Sequence, residues 1–383
     1  PKSFFGILWR VLVRFIFSSD FLYSPFLIID FWFGLENSIK NIGRNYFDFL
    51  ILLSETKMHP LAEEKLPSVD ILLSIYGPRM DWFISLLDSI DAQTYKNATL
   101  IVANDNPDDD GSYEQLIREH VHQYKVIYYK NLKNLGTTSS FECLTRKASS
   151  TYIAYCDQDD IWLPEKLETL VQTAEKSQVD LVCSDMLVID EQGNRICDSI
   201  TQLRRKQRFC VTPLLKRQIL ISNFIYGCAM LIRRRAALGT LPIPRVFYHD
   251  WWMAIDAVLR RTIEVINKPL LEYRISGQNQ TGFFAGIHSK DDYRDKVVLD
   301  RLKKLLVIKE RFPNLEVDVE LSFYIDYFSD LYKLFLSFNL KNFLFLFYKS
   351  FHKYFDYHWR QAVDCVIAIA PEFVCALVFS IIK

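Results

Sequence analysis

The chain has 383 residues, room for one large core or two domains, and carries 46 basic against 46 acidic side chains. That balance excludes a chain drawn to nucleic acid or to an acidic partner by bulk charge. Eight cysteines (143, 156, 183, 197, 210, 228, 365 and 375) make neither a Cys-x-x-Cys pair nor a zinc spacing. Most lie in apolar runs, so free thiols in a reducing, cytosolic compartment are expected.

Phenylalanine divides the chain: 21 of the 29 fall within residues 1–66 and 318–383. In the opening PKSFFGILWRVLVRFIF, Ser3, Gly6, Arg10 and Arg14 share one stripe at helical spacing and nearly everything else is apolar. A wide apolar face with a basic rim is the pattern of a helix lying in a membrane interface. Asp20, Asp30 and Glu36 interrupt any uncharged run of about 18 residues, so a transmembrane span is not expected. Residues 1–66 therefore read as an amphipathic, membrane-associating helical region. The competing reading is a helical appendage packed on the main domain or on a second copy in a homo-oligomer.

Met58–Pro67 is polar, bracketed by prolines, and reads as a linker. Residues 67–290 then read as an α/β domain. Val69–Tyr76 is a buried strand ended by Gly77-Pro78, Met80–Ile90 an amphipathic helix, and Ala98–Ala103 a strand running into Asn104-Asp105. A helix over Tyr113–Val121, a strand over Val126–Tyr129, the loop Asn131–Gly136 and a helix from about Ser139 follow. Strands alternating with helices predict a parallel-type sheet covered on both faces. No Gly-x-Gly-x-x-Gly, Walker A, Gly-x-Ser-x-Gly or His-Glu-x-x-His is present, which steers away from dehydrogenases, P-loop enzymes, serine hydrolases and zincins.

The centre of the chain is Tyr152-Ile-Ala-Tyr-Cys-Asp-Gln-Asp-Asp-Ile-Trp-Leu-Pro-Glu-Lys-Leu167. A strand of five residues delivers Asp157, Asp159 and Asp160, and a helix signal at Pro164 and Glu165 follows. Acidic residues at the carboxyl end of a buried strand stand where open α/β sheets place ligands. Asp157 and Asp159 can both reach a hard divalent cation, Mn2+ or Mg2+, which in turn takes phosphate oxygens. The plainer alternative is helix capping, to which Asp160 is well suited.

Further along, Val179–Ser184 is a strand ending in Asp185, Asp190–Asn194 a hairpin turn, Arg204–Arg208 a basic loop and Phe224–Ile232 a buried strand. Tyr248-His-Asp-Trp-Trp-Met-Ala-Ile-Asp256 sets Asp250 beside Trp251 and Trp252 at a helix start. An indole face can wall a sugar site, and the plainer reading of Asp250 is an N-cap. Residues 291–383 read as a helical C-terminal region. A charged helix over 293–312 stops at Pro313, and basic-rimmed aromatic helices after 318 make a second membrane-associating face.

Between about residues 67 and 283 this pattern resembles the bacterial family 2 glycosyltransferases of GT-A fold, a Rossmann-like mixed sheet, and within them the rhamnosyltransferase-like branch. Asp157-Gln-Asp-Asp-Ile-Trp-Leu-Pro-Glu-Lys-Leu167 carries most of the resemblance. Ser74-Ile-Tyr76, Ala103-Asn-Asp105, Asn134-Leu-Gly136, Ser184-Asp185 and His249-Asp-Trp-Trp252 recur in the family's order. The resemblance implies an inverting, metal-dependent transferase. Ser74 and Tyr76 would line the nucleotide pocket, Asp105 would bond the base, and Asp157 and Asp159 would hold the metal, with Asp157 also touching the ribose. Trp251 and Arg274 would contact the nucleotide sugar, and Asp250 would be the general base. The donor would be a dTDP- or UDP-sugar, with rhamnose the expected hexose, and the acceptor a lipid-linked saccharide at the cytoplasmic face of the bacterial plasma membrane. Two departures stand out: Ser276 occupies the place of the branch's usual histidine, and Asn104 that of a usual aspartate. A catalytically silent nucleotide-sugar-binding subunit is the rival expectation.

Overall fold

The computed structural model describes residues 66–203, 213–276, 287–313, 318–337, 339–349, 364–365 and 367–370. The N-terminal aromatic region up to residue 65, the basic loop at 204–208 and residues 371–383 lie outside these. The described residues all belong to the unit that begins at Leu66.

Three strands, β1 (Val69–Ile75), β2 (Ala98–Asn104) and β3 (Lys125–Lys130), run parallel, and β4 (Tyr152–Cys156) adds in parallel to the other edge of β1. Helices α1 (Met80–Asp91), α2 (Ser112–His120) and α3 (Thr137–Lys147) make the crossovers. All five residues of β4 and six of seven in β1 are buried, which is why both read as unbroken apolar runs rather than alternating ones.

Beyond β4 the sheet changes sense. Strand β5 (Ile161–Trp162) and helix α4 (Lys166–Ser177) lead to β6 (Leu181–Ile189), which makes a hairpin with β7 (Arg195–Cys197). The helices α5 (Ile200–Leu203) and α6 (Pro213–Ile221) precede β8 (Met230–Arg233), which inserts antiparallel between β4 and β6. Helices α7 (Arg234–Gly239) and α8 (His249–Leu259) come before β9 (Ile263–Arg274), parallel to β6 and antiparallel to β5. The sheet order is β3-β2-β1-β4-β8-β6-β9-β5, with β7 outside β6. The register of β6 and β9 slips at Asp185, opposite Pro269. A proline has no N–H for the ladder, so the bulge falls there and re-aims the end of β9. That end, Glu272–Arg274, thereby reaches β5 and the acidic loop.

Two expectations are corrected. Phe224–Ala229 is not strand: a 3-10 turn occupies Gly227–Ala229, and only Met230–Arg233 joins the sheet. Asp160 caps no helix: Glu165 stands at the N-cap of α4 without a side-chain bond, and Asp160 Oδ1 accepts from the N–H of Arg274 at 3.1 Å.

After Tyr293 the chain continues through a π turn into α10 (Asp300–Arg311), following the short α9 (Lys290–Tyr293), and then α11 (Asp318–Leu336) and α12 (Leu340–Lys349). Leu305 and Ile308 of α10 and Leu321, Tyr324, Tyr327, Phe328 and Leu331 of α11 are buried in the same core as the sheet.

Asp70, buried within β1, closes the turn from α3 into β4. Its carboxylate accepts from the N–H of Ser149 at 2.6 Å, the N–H of Ser150 at 2.8 Å and the hydroxyl of Ser150 at 2.7 Å. Removing it leaves two partly buried N–H groups without an acceptor, so Asp70→Ala is expected to lose about 2–4 kcal/mol of stability in chemical denaturation.

Candidate active site

β1 lies between β2, to which the chain first turns, and β4, to which it later returns, so the carboxyl ends of β1 and β4 flank a topological switch point. The loop Asp157–Asp160 leaves β4 there and is fixed from three sides. Gln158 bridges to the end of β1: its Oε1 accepts the N–H of Tyr76 at 2.8 Å, and its Nε2 donates to the Tyr76 carbonyl at 3.4 Å. Arg274, buried at the end of β9, donates from Nε to the Asp159 carbonyl at 3.0 Å and from Nη1 to the Asp190 carbonyl at 3.1 Å. On the far side of the loop the N–H of Trp162 donates to Ser89 Oγ at 3.0 Å.

This loop concentrates negative charge where water is scarce. Burial, then the charges of Asp159 and Asp250, push the Asp157 carboxyl up to about 7. Burial raises Asp159 against the pull of Arg274. Asp160, fully buried, is driven well above the carboxylate range by burial and by the charges of Asp159 and Asp157. Among the described residues, Asp157, Asp160 and Cys228 offer ligand atoms within 4.8 Å of one another. Beneath them sits Lys166, with no exposed surface, its Nζ 2.5 Å from the Cys228 carbonyl and 3.3 Å from the centre of the Trp162 ring. Burial lowers this ammonium to about 8, while the neighbouring Cys228, Cys156, Asp160 and Asp157 pull it back up. The deep part of the cluster thus already has a cation. The half-buried Asp157 and Asp159 offer hard oxygen donors, raised by burial and, at Asp157, by the charges of Asp159 and Asp250, and these fit a divalent cation.

Across the site, Asp250 lies in the first turn of α8 and is not its N-cap, which is Tyr248. Asp250 Oδ1 accepts from the N–H of Trp251 at 2.6 Å, and Oδ2 from the N–H of Gly227 at 3.3 Å. Burial carries its carboxyl up to about 6, against those two bonds and one from the side chain of Asn223. That the charge of Asp250 raises Asp157 puts the two on one site. Next to it, His249 is clasped between the rings of Phe141 at 4.2 Å and Tyr155 at 4.7 Å. Burial lowers its imidazole to about 3, so it stays neutral.

The remaining expected residues are placed as follows. Ser74 is half-buried near the end of β1, and Tyr76 just beyond it is 57% exposed. Asp105 ends β2 beside them. Its carboxylate accepts from Asn131 Nδ2 and from the N–H groups of Leu135 and Gly136, each at 2.8 Å, so it orders the loop ahead of α3. Trp251 is only 9% exposed: its Nε1 donates to the Ile219 carbonyl at 2.7 Å and its ring carries Lys304 Nζ at 4.8 Å. Arg274 donates from Nε and Nη1 to backbone carbonyls and lies 4.9 Å from the ring of Trp82.

Gln158, Lys166, Gly227 and His249 were given no role from the sequence. Two left a signal there: Gly227 interrupts an apolar run, and Lys166 puts a cation at the start of a helix, where the backbone dipole opposes it.

The mixed sheet and its switch point are of GT-A architecture. The family described as "Glycosyl transferase family 2" matches residues 80–240. An uncharacterized glycosyltransferase of Methanocaldococcus jannaschii is 33% identical over 265 residues, covering 66% of this chain and 82% of that one. The chain belongs to glycosyl transferase family 2 and is a glycosyltransferase. It is also 24% identical to the Escherichia coli UDP-Glc:alpha-D-GlcNAc-diphosphoundecaprenol beta-1,3-glucosyltransferase WfgD, over 54% of this chain and 78% of that one. In fold it resembles the crystal structure of S. aureus TarS 1-349 in complex with UDP-GlcNAc, with a TM-score of 0.51 and 12% identity over 78% of this chain and 89% of that one.

A Cβ on Gly227 would stand 2.7 Å from His249 Nε2 and 3.6 Å from the Cβ of Asp250. His249 cannot swing away from the rings that clasp it. Gly227→Ala is therefore expected to cost about 1–3 kcal/mol in denaturation. It should also displace Asp250 and slow turnover per folded molecule at least about tenfold.

Proposed function

We propose that the enzyme transfers a hexose, with inversion, from a dTDP- or UDP-sugar to a hydroxyl of a lipid-linked saccharide at the cytoplasmic membrane surface. The observation that carries this reading is the half-buried Asp250 carboxylate, held by the N–H groups of Trp251 and Gly227 on the same site as Asp157 and Asp159. Ser74 and Tyr76 at the end of β1 and Asp105 at the end of β2 form the nucleotide side. Asp157 and Asp159 would hold Mn2+ or Mg2+, which supplies Lewis-acid stabilisation of the leaving diphosphate. Asp250 takes the proton of the acceptor hydroxyl, and that oxygen bonds the anomeric carbon as the bond to the diphosphate oxygen breaks. The diphosphate leaves with the bonding electrons. Arg274 holds the acidic loop in place, and Trp251 packs behind the base. The E. coli relative, which by its name uses UDP-Glc and an undecaprenol-linked acceptor, supports a lipid-linked acceptor here. Donors to test first are dTDP-rhamnose and UDP-glucose, then UDP-galactose and UDP-N-acetylglucosamine, each with manganese or magnesium. No binding or hydrolysis of any of them would move the reading to a silent subunit.

Asp250 must be ionised to act. Its carboxyl sits at about 6 in the fold, against an ordinary value of 3.8, so transfer should fall as pH drops through about 6. The sign for stability is opposite: the fold holds this proton more tightly than the unfolded chain, so ionising Asp250 costs stability as pH rises from 3.8 toward 6. Asp250→Asn is expected to keep donor binding and to lose about 10²–10⁴-fold in transfer. Unchanged turnover would remove Asp250 as the base.

Among the described residues no helix is long and apolar enough to cross a membrane. Helix α12 instead exposes Leu340, Leu344, Phe345 and Tyr348 along one face, with Lys341 beside them and no acidic residue in the helix. We read this face as resting on anionic lipid. Full-length protein should co-sediment with phosphatidylglycerol-containing vesicles, and Leu344→Glu with Phe345→Glu should cut that binding at least about tenfold. Undiminished binding would reassign the face.

A further inference from the structure

Lys166 stands in a doubly unfavourable place. A cation at the first residue of a 12-residue helix opposes the backbone dipole, and an ammonium with no exposed surface has given up its water. Among the described residues it forms no ion pair within 4 Å, and the charges of Asp160 and Asp157 recover only part of the cost of burial. What the ammonium does hold is the Cys228 carbonyl, at 2.5 Å, while lying against the indole of Trp162. Cys228 is the middle residue of the 3-10 turn Gly227–Ala229, and the preceding N–H, that of Gly227, donates to Asp250 Oδ2. One side chain anchored just past the acidic loop therefore grips the turn that touches the base.

We propose that Lys166 is a positioning residue for Asp250, acting through the Gly227–Ala229 turn and not through the donor. This inference rests on the reading of Asp250 as general base. Without the ammonium, the Cys228 carbonyl is left buried and unbonded, the turn relaxes, and the Gly227 N–H no longer fixes Oδ2. Displacement of a catalytic group by about 1 Å can cost on the order of 10²-fold in rate.

A double-mutant cycle tests it. Lys166→Met, which keeps length and removes the donor, is combined with Asp250→Asn in the full chain. Release of UDP from UDP-glucose and of dTDP from dTDP-rhamnose is followed with manganese, with water or a synthetic N-acetylglucosaminyl diphospholipid as acceptor. Expected is a loss of about 10–100-fold for Lys166→Met alone, with donor KM changed less than about threefold, and almost no further loss in the Asp250→Asn background. Equal losses in both backgrounds, or a loss carried by donor KM, would overturn the inference and leave the base assignment standing. An Asp250→Asn enzyme that turns over normally would instead remove the base. Where the methionine variant does not fold, Lys166→Gln, which keeps an N–H donor on a shorter chain, carries the same cycle.

Discussion

The structure turns on how four carboxylates are kept together with so little water. Asp157, Asp159, Asp160 and Asp250 meet where β1 and β4 part, and each is pushed toward protonation by burial. Left alone, such a group protonates rather than pay the Coulombic cost. Two buried cations pull against that, Arg274 at Asp159 and Lys166 at Asp157, and burial still wins at both. Arg274 comes from the end of β9, delivered by the bulge opposite Pro269, and Lys166 from the start of α4. Arg274 bonds the Asp159 carbonyl of the loop and Lys166 the Cys228 carbonyl of the Gly227–Ala229 turn, so each holds backbone shape as well as supplying charge. The outer carboxylates stay available, and the inner one does not.

On the proposed reading, that division separates two kinds of chemistry in one site. A leaving diphosphate needs positive charge at the Asp157–Asp159 side, whereas an attacking hydroxyl needs an ionised base of moderate strength. A base as weak as an ordinary surface aspartate would hold the proton poorly. Burial lifts Asp250 to about 6, and the N–H groups of Trp251 and Gly227 stop it from rising further. His249, neutral and clasped between two rings, adds no charge that would pull it back.

How much of this was legible depended on whether the chemistry lay in a run of residues or between runs. The parallel half of the sheet and the acidic loop were readable, since β1, β2 and β4 are apolar runs that end in polar signatures. Phe224–Ile232 read as one strand because its composition is apolar throughout. The structure breaks it at Gly227, whose lack of a Cβ lets the turn approach His249, and no local pattern carries that tertiary demand. Likewise Trp251 promised an open aromatic wall, but its indole N–H is drawn to Ile219 on α6, a contact that exists only once the helices pack. Asp105 ends the strand as expected, and its oxygens are taken by a loop some thirty residues on.

The C-terminal helices bear on the same argument. Lys304 of α10 lies over the rings of Trp251 and Phe247, Phe312 packs 5.7 Å from Trp252, and Arg311 donates to the Gly239 carbonyl at 2.9 Å. Helix α10 therefore braces the helix that carries Asp250, and α10 in turn shares a buried seam with α11. A substitution in that seam is expected to disturb Asp250 more than the acidic loop, which is pinned from β1 and β9. If α12 rests on lipid, the half of the site that meets the acceptor is the half tied to the membrane-facing helices, and the donor half hangs from the sheet.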